Sequence, residues 1–314
     1  TCRKPFDNYF VWRMRMCMKS NTLLGVLALA LLTGSACSRQ DAEKEAPTEA
    51  PEITYPLTGE ILVVDRERNR LLVKHDEIPD YMPAMTMEFI ASPGDVANAK
   101  EGQRIRAVLV PSENGDFLLR NIWPDDQLAT SSVNASADAL RQDTLIRGRG
   151  AYREVGEKLP DFSLYDQTGE VVQSSRFRGR QIMINFIFTR CPVATMCPAS
   201  TMKMMETQRL ANEAGVETLE LISITLDPEY DTPGVLRDYA TSRGIDTSNF
   251  SFLTGPERAI KDLLKQFGVI ANFDGSILKH TLTTLLISKD GKIIHRADGT
   301  LWEPRDFVGK MRRP

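Results

Sequence analysis

The sequence has little of what a membrane-spanning or nucleic-acid-binding protein needs. Its one long apolar run, Leu23–Leu32, is ten residues. A helix crossing a bilayer takes about 20, so a polytopic membrane protein is excluded. There is no internal repeat, and the two cysteines of the C-terminal half are not a C-x-x-C pair. Clustered positive charge is missing too. From Cys37 onward there are 34 basic against 41 acidic side chains, a net charge of −7. Phosphate backbones are bound by grouped Lys and Arg, so no nucleic-acid partner is expected. Disorder throughout is also excluded, because 42% hydrophobic and 26% charged residues are ordinary for a chain that can build a core. At roughly 100–200 residues per domain, 314 residues suggest two domains.

The first 37 residues read as export information. Met18 is the best candidate for the translation start. A basic Lys19, the short apolar run and the small residues Thr33-Gly34-Ser35-Ala36 ahead of Cys37 describe a secretory signal. Small residues followed by Cys resemble the bacterial lipobox, which implies lipidation of Cys37 and a membrane-anchored protein. The alternative is cleavage after Ala36, which leaves a free thiol. A start at Met18 removes Cys2 and Cys17, so that Cys37, Cys191 and Cys197 remain. The protein is expected in the cell envelope, facing the periplasm. Residues 38–53, rich in Glu, Ala, Pro and Thr, read as a flexible charged spacer.

Residues 54–126 hold five short apolar runs: Ile61–Val64, Leu71–Val73, Met85–Ile90, Ile105–Val110 and Phe117–Ile122. Asn69, Pro93-Gly94 and Asn114-Gly115 separate them. Short strands at that spacing suggest a small all-β, OB-like barrel. Residues 127–154 are polar and read as a linker with a short helix near Ala135–Leu145. Over 155–314 strands and helices alternate. Ile182–Phe188 and Leu219–Leu226 read as buried strands, and Pro198–Ala214, Thr232–Arg243 and Pro256–Phe267 as helices. Leu282–Ile287 and Lys292–His295 form a hairpin about Asp290-Gly291, and Glu303–Met311 is a terminal helix. That order fits an α/β thioredoxin-like fold, so the fold class is a barrel followed by a thioredoxin-like domain.

Two groups of residues carry chemistry. In the barrel segment, Met85 and Met87 point to one face of a strand, with Met82 and His75 upstream. Thioethers and a neutral imidazole form a soft, uncharged donor set that favours Cu(I), or Ag(I), over Zn²⁺. The other reading is that the methionines fill the barrel core. The constellation resembles the CusF family of periplasmic copper-binding barrels over about seventy residues. Met82 stands where that family packs a Trp over the metal, with Tyr81 beside it.

The second group is Cys191-Pro-Val-Ala-Thr-Met-Cys197-Pro198, directly after a buried strand. Pro198 in the first helical turn places Cys197 at the cap, where the helix dipole and Arg190 are expected to stabilise a thiolate. His280, expected in a loop before the strand at Leu282, faces the cysteine turn in this topology. Two thiolates and an imidazole suit Cu(I), or Cu(II) with further ligands. A disulfide with His280 uninvolved is the alternative. Zinc lacks an evident fourth ligand. Asp227 either orients His280 or a partner, or caps the helix at Thr232.

Over about 155 residues this half resembles the Sco/SenC family. The resemblance is carried by Gly156-Glu-Lys-Leu-Pro160-Asp-Phe, Phe188-Thr-Arg-Cys191-Pro, Cys197-Pro198, Thr225-Leu-Asp227-Pro228, Asp231-Thr-Pro233 and Lys279-His280. The cysteines here are separated by five residues, where family members usually have three. The resemblance implies copper delivery to the dinuclear centre of cytochrome c oxidase, with its copper-site subunit or another exported copper protein as partner. It equally implies reduction of that centre's cysteines, in which case Cys191 and Cys197 are a catalytic redox pair. A copper buffer without a delivery partner is a third reading.

Overall fold

Five strands close into a barrel: β1 (Tyr55–Asp65), β2 (Arg70–His75), β3 (Met85–Ile90), β4 (Arg104–Pro111) and β5 (Phe117–Pro124), in the order β1-β2-β3-β5-β4. The computed structural model describes residues 52–112, 114–148, 150–274 and 277–312. Cys37, the export-type segment and nearly all of the acidic spacer lie outside those residues. Neighbouring strands run antiparallel, except where Ile90 meets Leu118 in parallel and closes the barrel. Period-two alternation does the sorting: in β4, Ile105, Ala107 and Leu109 face the core while Arg104 and Arg106 face outward. Leu57, Ile61, Leu71, Val73, Phe89 and Leu119 complete the core. Each such side chain contributes about 1.5–3 kcal/mol when fully buried.

Pro93-Gly94 is not a turn. Ser92 caps a short helix, α1 (Pro93–Asn98), its Oγ accepting from the Asp95 amide at 3.1 Å. Proline then occupies a first-turn position where its missing N–H costs nothing. The stretch expected to be a linker also differs. Gln127–Arg147 form a 21-residue helix, α2, whose N-cap Asp126 accepts from Leu128 and Ala129. Val133, Ala137 and Leu140 are buried at the i, i+4, i+7 spacing. A three-residue apolar stripe within a Ser, Asn and Thr-rich segment is too thin a signal to outweigh its polar composition.

The second part is a seven-stranded sheet with the order β14-β13-β8-β9-β10-β6-β7. Its strands are β6 (Ser163–Asp166), β7 (Val171–Gln173), β8 (Gln181–Ile187), β9 (Leu219–Thr225), β10 (Phe250–Thr254), β13 (Thr283–Ile287) and β14 (Ile293–Asp298). A separate hairpin pairs β11 (Ala271–Asp274) with β12 (Ile277–His280). Strands β8, β9 and β10 are parallel, as crossovers through α3 (Cys197–Glu213) and α4 (Pro233–Ser242) require. Helices α5 (Glu257–Gln266) and α6 (Pro304–Met311) complete a thioredoxin-like domain. Helix α2 packs on α5 and β6, and Gln266 Nε2 donates to Thr144 Oγ1 and the Leu140 carbonyl at 2.8 and 3.1 Å. No described helix is long and apolar enough to cross a membrane.

Candidate metal centres

Strand β8 delivers the chain, buried on both faces, to the turn at Phe188–Met196. Cys191 lies on that turn, half-buried, and Cys197 is the first residue of α3, fully buried. His280 arrives from 83 residues further on, as the last residue of β12. It therefore ends a hairpin strand and does not sit in a free loop. Cys191 Sγ, Cys197 Sγ and a ring nitrogen of His280 all lie within 4.8 Å of one another, with Cys197 Sγ 3.8 Å from His280 Nε2. His280 Nδ1 is 3.4 Å from the Thr281 carbonyl. A carbonyl only accepts, so that contact holds the proton on Nδ1 and leaves the Nε2 lone pair facing the sulfurs. Burial lowers the His280 pKa, opposed in part by the Thr281 carbonyl, which keeps the imidazole in its neutral, metal-binding form.

The expected stabilisation of a thiolate is reversed. Burial pushes the Cys197 thiol well above its ordinary pKa, and the neighbouring Cys191 adds to the rise. A helix dipole is worth about 0.3–1 kcal/mol near the surface, too little to offset removal of a thiolate from water. Arg190 is itself engaged, its Nε donating to Asp227 Oδ2 at 2.6 Å while its guanidinium lies over Tyr230. Asp227 is accordingly an Arg190 partner. It is buried, makes no hydrogen bond to His280 among the described residues, and does not cap α4, whose N-cap is Thr232.

Two supports were not legible as site residues. Asp231 is buried. Its carboxylate accepts from the Thr189 amide at 3.2 Å, from the Thr189 hydroxyl, and from Thr225 Oγ1 at 2.6 Å. It thereby ties the end of β9 to the chain two residues before Cys191. Burial raises its pKa to about 6 against those hydrogen bonds. The second support is Asn185, the one polar residue inside β8. Its Nδ2 donates to Ser200 Oγ at 2.9 Å and its Oδ1 accepts from Ser223 Oγ at 2.6 Å, so it ties the first turn of α3 to two strands. The only sequence signal was polarity at a position where the strand pattern calls for an apolar residue.

At the barrel, His75 on β2 stands directly opposite Met85 on β3, and Met87 follows on the same face. His75 is buried, Met82 and Met87 are half-buried, and Met85 is 45% exposed. An exposed Met85 does not fit the reading of that residue as core. Met82 pairs back to Ile78, and Tyr81 stacks on Tyr55 with ring centroids 3.7 Å apart. His75 Nδ1 lies 2.7 Å from the Asp76 carbonyl, which requires the proton on Nδ1. Its Nε2 is buried with no hydrogen-bond partner. A buried ring nitrogen without a partner is costly, and it is the kind of donor a metal ion would satisfy.

A two-cysteine, one-histidine cluster at the strand-to-helix turn of a thioredoxin-like domain, joined to a small barrel, defines the class. The chain belongs to the SCO1/SenC family, whose model matches residues 150–313. A second model, copper binding periplasmic protein CusF, matches residues 54–124. An SCO2-like protein of Rickettsia typhi is 34% identical over 140 residues, covering 42% of this chain and 66% of that protein. The chain thus spans just under two thirds of that relative's length. The SCO1 protein homolog of Bacillus subtilis is 29% identical over 155 residues, 48% of this chain and 79% of that one. Among solved structures, ScoI of Bradyrhizobium japonicum with copper bound is 25% identical, with a TM-score of 0.43, over 51% of this chain and 98% of that chain.

Proposed function

We propose that this protein is a copper chaperone of the bacterial cell envelope. Cu(I) binds at the barrel mouth through His75, Met82, Met85 and Met87, and at the second site through Cys191, Cys197 and His280. Copper then passes to a cytochrome c oxidase copper subunit or another exported copper protein, with the chain held at a membrane through Cys37. The observation that carries this reading is the convergence of two sulfurs and an imidazole nitrogen within 4.8 Å from distant parts of the chain. Soft sulfur donors with a neutral imidazole favour Cu(I). The unpartnered His75 Nε2 supports the barrel site. Names of relatives support the metal: the CusF model is described as copper binding and periplasmic, and the Bradyrhizobium structure contains copper.

The test is an anaerobic Cu(I) titration of the protein against a competing chelator. A Cys191→Ser/Cys197→Ser variant and a Met85→Ala/Met87→Ala variant are titrated beside it. Two tight equivalents in the parent and one in each variant are expected. The proximity of two free thiols also favours a second reading, a thiol–disulfide oxidoreductase acting on an exported copper protein. One equivalent in both the parent and the cysteine variant would replace the chaperone with that enzyme.

A further inference from the structure

The first turns of α1, in the barrel, and α4, in the thioredoxin-like domain, touch backbone to backbone. A Cβ placed on Gly94 would lie 2.1 Å from the Gly234 carbonyl oxygen, and one on Gly234 would lie 2.0 Å from Asp95 Oδ1. Real Cβ atoms do not approach that closely, so only glycine fits at either position. Neither glycine has positive φ, which leaves the close approach as the reason for both. Around this contact the joint is built rather than incidental. Asn98 at the end of α1 donates to the Gln167 carbonyl at 3.0 Å and accepts from Arg237 on α4 at 2.7 Å. Trp123 of β5 sits edge-on against Tyr165 of β6, with centroids 5.6 Å apart.

The joint leads to the cysteine turn by a short route. Gly234 follows Asp231 by three residues, and Asp231 holds the Thr189 amide and hydroxyl. Thr189 precedes Cys191 by two residues. Pro93 also lines one cleft with Thr189, Arg190 and Tyr230, so the start of α1 and the turn border the same cleft. A displacement of the α4 N-terminus must be carried by Asp231 into Thr189, because a buried carboxylate with three donors cannot shift without losing them.

We propose, on the copper-site reading above, that the barrel is a fixed buttress of the cysteine turn. Gly94 and Gly234 are positioning residues that set the place of Cys191 through Asp231 and Thr189. The barrel then has two roles: it holds its own donor set, and it holds the other site in shape. Packed interiors transmit such displacements because they are dense and poorly compressible. The apparent redundancy of a polar "linker" that is a 21-residue packed helix has the same explanation, since a fixed joint has no use for slack.

Gly94→Ala in the full chain tests this, with Gly309→Ala as control, since a Cβ there meets nothing within 4 Å. Three quantities are read: amide exchange at Gly234 and Val235, Cu(I) affinity of each site, and the rate at which iodoacetamide alkylates Cys191 in metal-free protein. In Gly94→Ala, exchange at the joint rises and cysteine-site affinity falls at least tenfold. Barrel-site affinity stays within twofold, and alkylation changes at least fivefold. Gly309→Ala matches the parent. If Gly94→Ala does not fold, Asn98→Ala cuts both cross-joint hydrogen bonds without a clash and moves the same readouts in the same direction by a smaller amount. Unchanged joint exchange overturns the proposal, and so do unchanged affinity and alkylation in a protein whose joint has opened. Should the parent's cysteines bind no Cu(I), the copper reading fails on its own, and alkylation of Cys191 still decides the buttress.

Discussion

Stability should fall as pH rises from 5 to 8, and Asp95 should be the main reason. Its side chain is 6% exposed and sits in the joint between α1 and α4. Ser92 Oγ donates to its Oδ2 at 2.9 Å. Gly234 lies against its Oδ1, and Asp238 on α4 faces the same turn. Arg237, the cation of α4 nearest this contact, bonds Asn98 instead. Burial, with some repulsion from Asp238, raises the Asp95 pKa from 3.8 to about 7 despite the Ser92 hydrogen bond. A folded-state pKa above the unfolded value means a protonated carboxyl is favoured in the native protein. Its contribution is fully present below about 3.8 and is lost as pH rises through about 7. At about 1.4 kcal/mol per pKa unit, the full loss is about 4 kcal/mol, of which about 3 kcal/mol falls between pH 5 and pH 8. At about 2–4 °C per kcal/mol for a unit of this size, that is on the order of 5–10 °C in melting temperature. Asp95→Asn cannot ionise and keeps a similar volume. Differential scanning calorimetry of parent and variant at pH 5, 6, 7 and 8 should show the parent losing stability relative to Asp95→Asn, with most of the divergence complete by pH 7. Asp231, raised to about 6, adds a smaller decline of the same sign to both proteins and cancels from the difference. Parallel melting curves, or a parent that gains on the variant as pH rises, would refute the placement of an uncompensated carboxyl in the joint.

Two further outcomes follow from burial at the cysteine turn. With Cys197 fully buried and its thiol pKa raised, iodoacetamide at pH 7.5 should modify Cys191 at least tenfold faster than Cys197; peptide mass spectrometry showing equal labelling would contradict the burial. Asn185→Val leaves the Ser200 and Ser223 hydroxyls without the amide that each meets. It should cost about 2–4 kcal/mol of stability, read from urea unfolding, whereas a neutral result would mean that the triad is not what ties α3 to the sheet.

How much was legible in the chain depended on the range of the signal. The five barrel strands were readable as short apolar runs set between polar and turn-prone residues, a signal contained within windows of six to eleven residues. After Gly156, strands β8, β9 and β13 were readable as continuous apolar runs because both of their faces are buried, and the proximity of Cys191 to Cys197 was readable because one turn separates them. His75 opposite Met85 needed only a hairpin. Helix α2 was less visible because a thin stripe of Val133, Ala137 and Leu140 competes with polar neighbours, and only packing on α5 selects the helix. Strand β10 and the β11–β12 hairpin also escaped notice, being short and without periodicity of their own.

Local sequence alone determined which chemistry is available here: soft donors on strand and turn, a Pro-led helix after Cys197, and an acidic body unsuited to nucleic acid. Tertiary structure decided how those groups behave. His280 reaches the sulfurs only because a hairpin folds back across 83 residues. The sign of the Cys197 shift follows from burial, which depends on everything packed around it and outweighs the helix dipole that the sequence pointed to. Arg190 lies beside Cys191 in sequence yet bonds to Asp227 in space. Gly94 and Gly234, 140 positions apart and unremarkable as letters, meet with no room for a methyl group. Periodicity is written within a few residues, whereas desolvation and close approach are properties of neighbours that only the completed fold supplies.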